Sequence, residues 1–154
     1  MKAKSIIAKI VVLCLLLSLG ACGSSDSTSG TSDVKNEIEE MQLKIDDSAV
    51  NVEWADNDSV KALAELVSEK PLTIKMSMYG GFEQVGSLGR SLPRNDVRTR
   101  TSAGDIVLYS GNQIVIFYGS NTWAYTRLGK ITGLSGNELT ELLGNKDVTI
   151  TISK

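Results

Sequence analysis

Apolar residues along this chain follow two periods. Leu72, Ile74, Met76 and Met78 alternate with polar neighbours, and Val148, Ile150 and Ile152 alternate with Thr149, Thr151 and Ser153. A period of two sends successive side chains to opposite faces of an extended chain, so each run predicts a half-buried strand. Met41, Leu43 and Ile45, then Val50, Val52 and Trp54, form two shorter runs of the same kind. Asp46-Asp47-Ser48 between them is turn chemistry, which predicts a hairpin. Asp105 to Tyr109 and Gln113 to Tyr118 are apolar on both faces and are joined by Ser110-Gly111-Asn112. Gly and Asn tolerate the positive φ that tight hairpins demand. One face of this second hairpin must meet a core. The other must be covered by a helix or loop, or line a groove.

The second period is helical. Val60, Leu63, Ala64 and Val67 follow i, i+3, i+4, i+7 spacing and give a helix one apolar stripe. Asn57, Asp58 and Ser59 offer N-caps, and Pro71 stops the helix after Lys70. A shorter helix is predicted over Asn137 to Leu143. Ser135 and Glu138 have capping-box spacing there, and Gly144 can close the helix. Many short strands, two short helices and frequent glycines predict a mainly β fold, a barrel or closed sandwich with helical plugs. No internal repeat is present.

The N-terminus has a different character. Lys2, Lys4 and Lys9 precede an unbroken apolar run from Ile10 to Leu17, and Ser18 to Ala21 are mostly small. Those are the marks of an export signal. The run is too short for a membrane-spanning helix, which needs about 20 residues. Leu19-Gly20-Ala21-Cys22 resembles a bacterial lipoprotein signal, in which the cysteine is lipidated and becomes the first mature residue. Each buried methylene adds ~0.8 kcal/mol, so two or three acyl chains anchor durably where one holds marginally. Residues 23–32 are almost wholly Gly, Ser, Thr and Asp and read as a flexible tether. The expected organisation is a signal over 1–21, lipidated Cys22 and tether over 22–38, and one domain over 39–154. The expected location is the extracytoplasmic face of the cell membrane or outer membrane.

Cysteine and histidine usage narrows the chemistry. Cys14 is lost with the signal, which leaves Cys22 as the mature chain's one cysteine, and the chain has no histidine. A thiol nucleophile, a disulfide, Cys- or His-based metal sites and Ser-His-Asp chemistry are thereby excluded. No cofactor or metal is expected. The mature chain carries thirteen basic and eighteen acidic residues, a net charge of −5 that argues against nucleic-acid binding. Within it, Arg90, Arg94, Arg98 and Arg100 cluster with Asp96 as their sole acidic neighbour between Gln84 and Gly104. Guanidinium forks suit carboxylates and phosphates, so the cluster is either an anion site or a solvated, ion-paired loop.

The middle of the chain is distinctive. It reads Tyr79-Gly80-Gly81-Phe82-Glu83, then Gly86-Ser87-Leu88-Gly89-Arg90-Ser91-Leu92-Pro93, then Ala103-Gly104-Asp105-Ile106-Val107-Leu108-Tyr109. It continues with Gly111-Asn112-Gln113-Ile114-Val115-Ile116-Phe117-Tyr118-Gly119 and Trp123-Ala124-Tyr125-Thr126-Arg127-Leu128-Gly129-Lys130-Ile131. This succession resembles the bacterial cyclophilin-like family from about Met41 to Lys154. The resemblance implies a closed β-barrel of about eight strands with two short capping helices, and a possible flavodoxin-like partner. It implies no catalytic residue, because the Phe-His-Arg-type motif of true cyclophilins has no counterpart in a chain without histidine.

The candidate groove residues are Tyr79, Phe82, Arg90, Arg94, Phe117, Tyr118, Trp123, Tyr125 and Arg127. Gly80-Gly81 between Tyr79 and Phe82 either admits a ligand to the backbone or forms a turn. The aromatics are either core or groove rim. Arg127 pairs either with an anionic ligand or with a carboxylate such as Asp105. Glu83 and Asp105 form a carboxylate pair only if the fold joins them, and Ser87, Ser91 and Ser102 have no visible base. The expected function is a lipid-anchored, extracytoplasmic cyclophilin-like binding module for a peptide or small anionic ligand. The alternative is a peptidyl-prolyl isomerase for exported proteins, with Arg90, Arg94 or Arg127 donating to the prolyl amide.

Overall fold

Turn chemistry sets the first hairpin. In the computed structural model, which describes residues 35–154, β1 (Gln42–Ile45) and β2 (Ser48–Trp54) flank Asp46-Asp47, with Asp46 at φ +50°. Asp46 is also held from outside: its carboxylate accepts the Thr149 N–H (2.9 Å), and its own N–H donates to the Thr149 carbonyl (2.7 Å). That N–H donor and Lys146 lower the Asp46 pKa. The signal segment, Cys22 and the tether through residue 34 lie outside the described residues; residues 35–39, partly expected as tether, are helical and seat Ile38 in the core.

The remaining strands are β3 (Leu72–Lys75), β4 (Ser77–Tyr79), β5 (Glu83–Ser87), β6 (Val97–Arg100), β7 (Asp105–Tyr109), β8 (Gln113–Phe117), β9 (Thr122–Thr132) and β10 (Thr149–Ser153). They form one antiparallel sheet in the order β3-β10-β1-β2-β9-β7-β8-β5-β4, with β6 paired to β9 off this path. The two ends of the path, β3 and β4, are separated in the chain by Met76 alone. A single bent segment therefore closes the barrel. Counted as one strand, residues 72–79 make the wall eight-stranded, as expected.

The alternation through Leu72–Met78 predicts one uninterrupted strand, but the strand breaks at Met76. Ile74 and Met76 are buried while Met78 is exposed. At the break the Met76 N–H donates to the Val148 carbonyl (2.8 Å), and the Met78 N–H donates to the Asp147 carboxylate (2.9 Å). β5 crosses this seam at Gly86, where a side chain would overlap Ile74 and Met76. Glycine there lets two backbones approach closely.

Helix α1 (Asp58–Ser68) lays Val60, Leu63, Ala64 and Val67 on the barrel core. Asn57 caps it, accepting from the Val60 N–H (3.0 Å), and its amide donates to the Arg127 carbonyl (2.8 Å), tying the helix to β9. The helix ends two residues before Lys70. Helix α2 (Gly136–Leu143) has the expected capping box: Ser135 accepts from the Glu138 N–H, and the Glu138 carboxylate accepts from the Ser135 N–H. Gln84, fully buried, donates to the carbonyls of Leu143 (2.7 Å) and Lys146 (2.7 Å). Carbonyls at a helix C-terminus lack intrahelical partners, and Gln84 supplies one for Leu143. The barrel interior is filled by Leu43, Ile45, Ile106, Leu108, Ile114, Ile116, Leu128, Ile150 and Ile152.

Candidate functional site: an aromatic cavity on the outer barrel wall

The β7–β8 hairpin is apolar on both faces, and its two faces do different things. Ser110 (φ +53°) and Gly111 (φ +78°) carry the tight turn; Asn112, expected to share it, does not adopt positive φ. Ile106, Leu108, Ile114 and Ile116 point into the barrel. Val107, Val115 and Phe117 point outward, yet they too are buried, in a second cluster with Tyr125. Phe82, Val85 and Tyr109 pack against this cluster. Phe82 lies parallel to Phe117 with ring centroids 6.5 Å apart. Tyr125 meets Phe117 (5.7 Å) and Tyr109 (6.1 Å) edge-on. Such edge arrangements suit the aromatic quadrupole.

The cover comes from β9. Its residues 126–130 pair with β7, past an irregularity between Ile106 and Val107, whereas residues 122–125 pair with β6 instead. The β6–β9 ribbon carries Trp123 and Tyr125 to the outer wall. Register completes the picture on β5: Glu83 stands opposite Phe117 on β8 and Tyr79 on β4, and Val85 stands opposite Val115.

Between ribbon and wall lies a cavity of about 300 Å³, floored by Val85 and Val115. Tyr79 and Trp123, 68% and 55% exposed, line it with Tyr109, Tyr125, Asn121 and Gln113. Glu83 is the one acidic side chain on this lining, and no lysine or arginine joins it. Glu83 is only 6% exposed, and its Oε2 is buried with no hydrogen-bond partner among the described residues. Burial disfavours the charged carboxylate and pushes its pKa up to about 7. The Tyr125 phenol is raised first by burial and then by the Glu83 charge; hydrogen bonding to Asn121 opposes the shift, and Tyr109 adds to it. The Asn121 amide donates to the Tyr125 hydroxyl (3.1 Å). The arrangement offers aromatic faces, an apolar floor and one unpaired acid that changes protonation near neutral pH.

The structure divides the candidate residues. Tyr79, Trp123 and Tyr125 line the cavity, and Phe82 and Phe117 form the cluster beneath it. Tyr118 packs against the barrel core instead. None of the three arginines reaches the cavity. Arg90 lies in a separate cleft against α1. Arg94 pairs with Asp96 (3.4 Å), and Arg127 pairs with buried Asp105 (3.6 Å). Arg94 and Arg127 share a cleft of about 420 Å³ near the start of α1. Asp105 is also bound by Lys130 (3.0 Å), by the Ser102 N–H (2.8 Å) and by the Ser102 hydroxyl (3.2 Å). Glu83 makes no ion pair among the described residues, so it stands alone rather than paired with Asp105. Tyr109, Gln113 and Asn121 were not among the candidates. A polar residue directly after Phe82, facing a doubly apolar hairpin, is the one sequence signal for Glu83; its register against Phe117 is long-range.

Among the described residues no group of three or more acidic or cysteine side chains is placed to hold a metal ion. No described helix is long and apolar enough to cross a membrane.

No curated protein matches the chain. The solved structure of McbB in complex with tryptophan superposes with a TM-score of 0.51 at 10% identity, over 75% of this chain and 44% of that one. This chain therefore spans less than half the length of McbB. The solution structure of the hypothetical protein AF2241 from Archaeoglobus fulgidus gives a TM-score of 0.49 at 18% identity, over 73% of this chain and 92% of that one. The Cyclophilin-like family matches residues 43–153, nearly the whole barrel, and the chain belongs to that family.

Proposed function

We propose that this protein is a lipid-anchored, extracytoplasmic binding module whose outer-wall cavity takes a small organic ligand. The observation that carries the reading is the cavity itself. It is concave and largely apolar, with four aromatic rings and one unpaired acid, and those are the properties of small-molecule sites. Lys2, Lys4 and Lys9, the apolar run from Ile10 and Cys22 support the anchor. Binding is favoured over prolyl isomerisation because a guanidinium donor is what the isomerase needs, and Arg90, Arg94 and Arg127 all lie away from the cavity. The anionic ligand expected from the arginine cluster does not suit a lining whose one charged group is an acid.

Two experiments test the two halves. A fragment screen by ligand-observed NMR should find small aromatic molecules that bind, and Trp123→Ala should remove the binding. Tryptophan belongs in the screen because McbB was solved with it. Binding that survives Trp123→Ala places the ligand elsewhere. Cys22→Ala should leave the chain uncleaved or released from membranes, and a processed, membrane-bound variant refutes the anchor.

A further inference from the structure

We propose that the cavity selects an organic ammonium, an amine carried on a flat apolar body, with Glu83 as its counter-charge. The proposal rests on the reading of the cavity as a ligand site and names the ligand's chemistry. Three observations carry it. Glu83 Oε2 is a buried acceptor with nothing to accept from among the described residues. Buried acceptors are seldom left unpaired, and an uncompensated one is destabilising. Glu83 lines the cavity, so a rotation of its carboxylate brings the orphan oxygen to a donor that arrives with the ligand.

The second observation is the absence of an internal cation. The lining carries no lysine or arginine, and Arg127 and Lys130 on β9 are both engaged with Asp105. The titratable groups facing Glu83 across the cavity are phenols: Tyr79 from β4, Tyr109 from β7 and Tyr125 from β9, with none from β8. None of these can neutralise a carboxylate. An anionic ligand would meet Glu83 with like charge, and a neutral one would leave it protonated. A cation converts it to the charged form and gains a charge-assisted hydrogen bond.

The third observation is aromatic. Tyr79, Tyr109, Trp123 and Tyr125 present rings around the same space, and ring faces attract ammonium groups while accommodating apolar bodies. Asn121 does not compete for the ligand's charge, because its amide is engaged by the Tyr125 hydroxyl and its carbonyl by the Thr122 N–H. Ammonium binding therefore lowers the Glu83 proton affinity and releases a proton below neutral pH.

The test uses the full chain in detergent micelles, with empty micelles subtracted. Three probes of one shape are titrated by calorimetry: 2-phenylethylamine, 2-phenylethanol and 3-phenylpropanoate. Trp123 emission is followed in a Trp54→Phe background. The amine should bind at least about tenfold tighter than the alcohol at pH 8, and that preference should fall at least tenfold by pH 5.5 as Glu83 protonates. Glu83→Gln, nearly isosteric, should abolish both the preference and its pH dependence while alcohol binding stays within about twofold. Equal binding of alcohol and amine, or a preference that persists in Glu83→Gln, overturns the ammonium assignment and leaves the ligand site standing. Failure of all three probes to bind or to change Trp123 emission overturns both.

Discussion

The two faces of the β7–β8 hairpin are built from equally apolar residues and reach opposite ends. The inner face, Ile106, Leu108, Ile114 and Ile116, is aliphatic and fully buried. The outer face, Val107, Tyr109, Val115 and Phe117, is closed by rings from other elements and keeps an opening beside them. Aliphatic side chains interdigitate to crystal-like density. Rigid rings set edge to face, hung from a ribbon that β7 does not pair with, do not fill the space. The difference teaches that hydrophobicity decides that a face is covered, while the shape of the cover decides whether a site remains.

Five substitutions break or sharpen this contrast. Ile116→Ala, on the closed face, should cost about 3–4 kcal/mol in urea unfolding, and Val115→Ala, beside the opening, about half as much. Losses in proportion to the carbons removed, with Val115→Ala at about two-thirds of Ile116→Ala, would mean that both faces are packed alike. Gly86→Val forces a side chain into the seam where β5 meets Ile74 and Met76 and should cost about 2–3 kcal/mol. A neutral result would show that the bent segment does not close the barrel tightly.

Glu83→Gln should act in the other direction, with a pH dependence. Burial raises the folded-state pKa of Glu83 to about 7, above its unfolded value. Below the unfolded value both states are protonated and the variant gains nothing. As pH rises toward 7 the wild type loses stability that the variant keeps. The variant should be about 2 kcal/mol more stable at pH 8, less than the full shift implies because the cavity opens to solvent, and equal at pH 4. Thermal unfolding across that range checks the sign; a variant less stable at pH 8 would place a cation beside Glu83. The smallest effect belongs to Arg127→Ala, about 1 kcal/mol or less, because Arg127 is half-exposed and Lys130 and Ser102 still hold Asp105. Ligand binding should be unchanged. If binding is lost, the arginine returns to the site.

The fold was legible where signals are local. The Asp46-Asp47 turn, the Asn57 cap with its i, i+3, i+4, i+7 stripe and the Ser135–Glu138 capping box each involve residues within one or two turns of chain. The break at Met76 was not legible, because alternation continues through it and only closure of the sheet bends it. At the site, the aromatics were visible as a group, but Tyr118 and Tyr125 share a neighbourhood in sequence and part company in space. Arg90, Arg94 and Arg127 stood out by composition, yet Arg94 serves Asp96, Arg127 serves Asp105, and Arg90 lies in another cleft.

By itself, the sequence determined a mainly β domain with two capped helices, a chemistry without imidazole, and a hairpin whose second face had to be covered. Those follow from local periodicity and from which residue types exist at all. Only the tertiary structure decided what covers that face and which acid lies under it. Glu83 meets Phe117 across 34 residues of chain, and Tyr125 reaches Phe117 because β9 leaves β7 to pair with β6. Register and strand exchange are set by closure of the whole barrel, so no local pattern could carry them.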